Sequence, residues 1–179
     1  MVYVLLGTGF EETEAITPID LLRRSGVEVL TVGISGKTVY GGHGIGVEAD
    51  ITIEQLEPEK ADMIVLPGGL GGVASIQGCL QALDAIKIMY EQGRFVAAIC
   101  AAPTILAQLH ITDGKQAVCY PGCEAQMGTA KMVAKAAVRD GKLITGTSAG
   151  CAIPFGLALI EALKGQEEAD RIASQIVIR

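Results

Sequence analysis

The chain has no tryptophan, and only three phenylalanines and four tyrosines among its 179 residues. A core built without large rings must be filled by Ala, Val, Ile and Leu, which fits the apolar half of the composition. No run of Lys or Arg occurs, and the net charge is −6. That excludes a phosphate-tracking nucleic-acid surface, which needs a basic patch. The opening Met-Val-Tyr-Val-Leu-Leu-Gly has no basic start and too short an apolar run for an export signal. The longest uncharged stretch, Leu143 to Ile160, is broken by Gly146, Gly150, Pro154 and Gly156. It reads as a buried turn feeding a helix, and no membrane span is expected. Histidine is scarce as well: only His43 and His110. Five cysteines (Cys79, Cys100, Cys119, Cys123, Cys151) cannot all pair, and with no export signal they point to a reducing, cytoplasmic location.

Apolar runs and helical periods alternate along the chain. Strands are expected at residues 2–6, 27–32, 63–66, 95–99, 117–120, 133–138 and 143–145. Helices are expected at 14–24, with Ile16, Ile19, Leu21 and Leu22 facing inward, and at 76–92, 103–109, 153–163 and 167–176. Short continuous apolar strands separated by helices argue a parallel sheet covered on both faces. With no linker, repeat or low-complexity segment, residues 1–179 read as one doubly wound domain. The crevice of such a sheet lies at the carboxyl ends of its strands. Three turns fall there: "GTGFEETE", "PGGLGG" and "CAAP".

The first turn starts like a dinucleotide fingerprint, but Glu12 stands where its third glycine belongs, flanked by Glu11 and Glu14. In the third turn Cys100 is squeezed between an apolar strand and the helix opened by Pro103. Ala98, Ala101 and Ala102 surround it. Small residues on both sides permit the sharp bend of a nucleophile elbow, and a helix N-terminus behind it favours a thiolate. The same pattern suits a small buried cysteine, and the residues alone do not separate the two. "LPGGLGG" can form a nest of N–H groups for an oxyanion, or a plain flexible turn.

"GFEETEAITPIDLLRRSG", "DMIVLPGG", "VAAICAAPTIL" and the closing "FGLALIEALKG" occur in the order and spacing of the ThiJ/PfpI superfamily. The resemblance covers nearly the whole chain. It is to the branch holding parkinsonism-associated protein deglycase and the bacterial protein YajL. It implies a flavodoxin-like, class I glutamine amidotransferase-like sandwich with a mainly parallel sheet. It also implies a homodimer, formed through the first helix and the glycine-rich turn, and no cofactor or metal. Glu14 would point at the sulfur of the Cys100 nucleophile as a proton donor and shuttle, while Gly68, Gly69 and Ala101 would hold an oxyanion. Glu11 and Glu12 read as solvated helix-start charges.

Many members of the superfamily carry a histidine where "AVCYPG" places Tyr120, so the usual Cys-His pair is missing, and tyrosine is a poor base near neutral pH. His43 falls where relatives often have a basic residue. It and Arg24 are possible pocket residues, with a plain loop histidine as the alternative, and His110 reads as a helix-end residue. Ser148-Ala149-Gly150 replaces a frequent Gly-Pro-Gly. Cys119 and Cys151, beside these two turns, are candidate resolving thiols for an oxidised Cys100. Cys119-x-x-x-Cys123 lacks the second pair a zinc site needs.

Two classes of function follow. One is a glutathione-independent glyoxalase or protein deglycase acting on small aldehydes or glycated protein side chains. The other is a non-catalytic redox sensor or chaperone using oxidation of Cys100. A peptidase, the activity of some superfamily cousins, normally uses the missing histidine.

Overall fold

Strand β1 (Val2–Leu6) is buried along its whole length, and its alternation divides the molecule into two layers. Val2, Val4 and Leu6 face one apolar cluster, while Tyr3 and Leu5 face the other. A computed structural model describes residues 1–178. After β1 come α1 (Glu12–Arg24), β2 (Val29–Gly33), β3 (Thr38–Tyr40), β4 (Gly46–Glu48), β5 (Ile51–Thr52) and β6 (Met63–Leu66). Then follow α2 (Leu70–Gln77), α3 (Leu80–Glu91), β7 (Phe95–Ile99), α4 (Pro103–Gln108), β8 (Gln116–Ala117) and β9 (Lys131–Met132). The chain closes with β10 (Ala137–Asp140), β11 (Leu143–Gly146), α5 (Ala152–Lys164) and α6 (Gln166–Gln175).

The central sheet has seven strands in the order β10-β11-β7-β6-β1-β2-β5. Every pairing is parallel except β10 with β11. Helices cover both faces, so the flavodoxin-like doubly wound reading holds. Residues of α1, α5 and α6 pack on one face and those of α2, α3 and α4 on the other. Full burial of a ring such as Phe10 or Phe155 contributes roughly 2 kcal/mol. From β1 the chain winds outward through β2 and β5, then returns to β6 on the other side of β1. That reversal opens a crevice between the loops after β1 and β6.

The first helix begins at Glu12, earlier than its apolar spacing suggests. Glu11 caps it, its Oε2 accepting the Glu14 N–H at 2.8 Å. Acidic residues fill its first turn and Arg23 and Arg24 its last, matching the helix dipole. Ala15, Pro18, Ile19, Leu21 and Leu22 are buried, but Ile16 is exposed, contrary to its expected inward facing. It lies on the outer side of the helix, opposite the sheet.

The helix expected over 76–92 is two helices. Gly78 ends α2, and Cys79, with an extended backbone, starts α3. The segment expected as one strand near 117–120 forms only β8, which pairs with β9 outside the main sheet. Among the described residues no helix is long and apolar enough to cross a membrane.

Candidate functional site

The loops after β1, β6 and β7 meet at the crevice, and their backbones are laced together. Glu11 N–H donates to the Gly68 carbonyl at 3.0 Å. Gly69 has φ +83°, and a Cβ there would collide with the Gly9 carbonyl and the Glu11 nitrogen. Only glycine permits both the backbone shape and the approach.

Cys100 follows β7 with φ +66°, an uncommon conformation for a residue with a side chain. Its N–H donates to the Gly146 carbonyl at 3.0 Å, which ties the bend to the end of β11. Strain of this kind costs about 1–2 kcal/mol and is held by the surrounding structure. The elbow expected from small-x-Cys-x-small is therefore formed, with Ala98 and Ala102 fully buried beside it.

Glu14 reaches from the first turn of α1 into the same corner. It is 1% exposed, and its Oε2 accepts the Gly68 N–H at 3.0 Å. The Cys100 side chain and the Ala149 backbone lie beside it, and both favour its charged form. Burial pushes its carboxyl up to about 7, helped by the charge of Glu11 and opposed by those neighbours.

The thiol moves the opposite way from the expected depression. Burial, then the charge and hydrogen bond of Glu14, push Cys100 up to about 12, against the N–H groups of Ala101 and Gly69. The helix behind it has only six residues and starts at Pro103, so its dipole is weak at the sulfur. The pair is governed by where one proton sits. An ionised Glu14 keeps the sulfur protonated. If that proton moves to the carboxyl, the repulsion disappears and the acid can donate a hydrogen bond to a thiolate.

Above the pair lies a cavity of about 480 Å³. Gly69, Ala101 and the Ser148–Gly150 turn form its walls, and Leu70 and Tyr120 its half-open rim. Of the candidate oxyanion donors, Gly69 and Ala101 border the cavity, whereas the Gly68 N–H is committed to Glu14. Tyr120 belongs to the cavity. Arg24 and His43 do not line it: Arg24 pairs with Asp20 at 2.6 Å toward the far end of α1. The two candidate resolving cysteines are absent from the lining as well. Cys119 is buried, and Cys151 lies near the Ser148 hydroxyl at 4.0 Å.

Cys123 borders the cavity instead. The signal for it was the Tyr-Pro-Gly-Cys spacing, since a tight turn returns the fourth residue to the first.

Glu12 departs from the solvated role expected of it. It is 7% exposed and holds His43, Oε1 accepting the His43 N–H and Oε2 meeting Nδ1, each at 2.8 Å. Burial works to raise its pKa, but the His43 bonds win and hold it below the ordinary range. Glu11, Glu12 and His43 present ligand atoms within 4.8 Å of one another. Those of Glu12 are already occupied by His43 and one of Glu11 by the helix cap.

Residues 1–162 match the DJ-1/PfpI family. The chain belongs to that family. It is 34% identical to Drosophila melanogaster protein dj-1beta over 98% of this chain and 95% of that protein. The crystal structure of that protein superposes with a TM-score of 0.95 over 99% of this chain and 97% of that one. Toxoplasma gondii DJ-1, solved in an oxidised form, gives a TM-score of 0.93 at 34% identity, covering 98% and 97% of the two chains. A Pyrococcus abyssi protein named a deglycase is 32% identical over 70% of this chain and 75% of its own length. Family membership thus agrees with the resemblance read from the three turns.

Proposed function

We infer that this DJ-1/PfpI chain is a cysteine-dependent enzyme that converts reactive carbonyls without a cofactor. The observation that carries the reading is the buried Glu14 carboxyl, poised at about 7, on the Cys100 thiol at the floor of an open cavity. A general base works best with a pKa near the operating pH, and this one lies beside the thiol whose proton it would remove. Glu14 takes the thiol proton as sulfur adds to the aldehyde carbon of a compound such as methylglyoxal, giving a hemithioacetal. The N–H groups of Ala101 and Gly69, which border the cavity, would hold the developing oxyanion, while Gly68 positions the carboxyl. Transfer of hydrogen from the aldehyde carbon to the neighbouring carbonyl carbon yields a thioester. Water then releases lactate and restores the thiol. In a glycated amine the former aldehyde carbon carries a hydroxyl and the amine. There the sulfur displaces the amine, the C–S bond forming as the C–N bond breaks and the thiol proton leaving on the amine. That gives the same hemithioacetal and is in keeping with the name of the Pyrococcus relative.

Lactate formation from methylglyoxal, measured in the wild type and in Cys100→Ser and Glu14→Gln, tests this. Turnover in the wild type that is lost in both variants supports it. Equal turnover in Glu14→Gln removes the proton shuttle.

A redox-sensing or chaperone role is the second reading. The donors aimed at the sulfur would suit the oxygens of a sulfinic acid, and an oxidised relative is known in this fold. Absence of turnover at millimolar aldehyde, with facile sulfinate formation at Cys100, selects it. Either role is proposed for one cytoplasmic domain that pairs as a homodimer. The exposed Ile16 and Ile153 support the pairing, since both line a shallow surface depression along α1.

A further inference from the structure

We propose that Cys123 is the resolving thiol of Cys100, so that a peroxide converts the cavity into a disulfide site. Of the five cysteines, Cys100 and Cys123 border the same cavity, and both are half-buried and open to a small oxidant. Both pack against the apolar cluster on the face of the sheet covered by α2, α3 and α4. The backbone ties them together in two steps. Tyr120 N–H donates to the Cys100 carbonyl at 2.7 Å, and Cys123 N–H donates to the Tyr120 carbonyl at 2.9 Å. The second thiol is therefore carried on a turn anchored to the elbow itself.

That turn also has freedom to adjust. Tyr120, Pro121 and Gly122 are exposed, and Gly122 has φ +99° with no atom within 4 Å of where a Cβ would stand. A disulfide demands a specific separation and torsion, and closure of the link would require the exposed Pro-Gly turn to bring the Cys123 sulfur to that geometry. Cys119 cannot serve in the same way, because it is 5% exposed and packs behind the turn against Ala107 and Met127.

The chemistry balances with a peroxide as the only oxidant. The Cys100 sulfur attacks one peroxide oxygen and the O–O bond breaks. The sulfur becomes a sulfenic acid, and the thiol proton leaves on the departing alcohol or water, with Glu14 as its carrier. Cys123 sulfur then attacks the sulfenic sulfur. The S–S bond forms, the S–O bond breaks, and the oxygen departs as water with the Cys123 proton. Two electrons pass from the two thiols to one peroxide. The proposal rests on Cys100 being reactive, and not on carbonyl turnover.

The test is to treat the purified protein with one equivalent of hydrogen peroxide, alkylate the remaining thiols, digest without reductant and sequence the linked peptides. The expected product joins Cys100 to Cys123 within one chain, two hydrogens lighter than the separate peptides. It persists in Cys119→Ser and Cys151→Ser. In Cys123→Ser the link disappears, and Cys100 instead carries one added oxygen as a sulfenic acid, or two after a second equivalent of peroxide. A wild-type protein that accumulates sulfinic Cys100 without the link overturns the proposal, as does a link from Cys100 to Cys119 or Cys151. Both outcomes leave the lactate assay unaffected as a separate measure of the carbonyl reading.

Discussion

The backbone of Tyr120 is fixed to the carbonyl of Cys100 at 2.7 Å, while its side chain stands half-exposed at the cavity rim. The position next to Cys100 thus carries a phenol in place of an imidazole. In the proposed carbonyl reaction the Glu14 carboxyl is then the base left beside Cys100. Tyr120→His would add a second base on the same fixed backbone. Positioned general bases contribute about 100-fold or more, so kcat for methylglyoxal is expected to rise by at least about tenfold in steady-state assays. An unchanged kcat would mean that residue 120 does not face the reacting atoms.

Gly68 holds Glu14 by its N–H, and a Cβ there would strike the Glu14 carboxyl and stand 2.7 Å from the Cys100 Cβ. Gly68→Ala is expected to part the acid from the sulfur while β6 and β7 stay intact. A misplacement of about 1 Å costs on the order of 100-fold in rate. Activity and circular dichroism measured together check this, with turnover lost and the spectrum kept.

Ile16 is exposed on the outer side of α1, near Ile153 and Arg24. A charge placed on that apolar face would have to be desolvated if two copies meet there. Ile16→Glu is therefore expected to convert a dimer to a monomer in sedimentation analysis, with the monomer still folded. A wild-type monomer, or a dimer that survives the change, places any interface elsewhere.

Much of this arrangement was legible in the sequence, for reasons that differ from residue to residue. β1, β6 and β7 are buried on both faces, so they appear as unbroken apolar runs. The cysteine elbow is legible because a sharp bend demands small neighbours, and alanines stand there. Helix α2 was hidden, since Gly71 and Gly72 read as a flexible turn. They are small because the loop after β1 presses on them, a Cβ at Gly72 falling 2.7 Å from the Phe10 Cα. Nothing local records that contact. Ile16 faces outward against its apolar spacing for a related reason, because an apolar residue can face either the core or another surface. The rise of the Cys100 thiol depends on burial and on a carboxylate far away in sequence, which no motif encodes. The pairing of Glu12 with His43 is likewise a product of the folded loop.

The central claim is that Glu14 governs the proton of Cys100. The most direct measurement is the rate of alkylation at Cys100, followed by mass spectrometry across pH in the wild type and in Glu14→Gln. Above about 7 the carboxyl is ionised and can accept the thiol proton as sulfur attacks; below it the acid is already protonated and cannot. The wild-type rate is therefore expected to climb through an inflection near 7 that is absent from the variant. Superimposable profiles for the two proteins, with a single rise in the range of an ordinary thiol, would contradict the account.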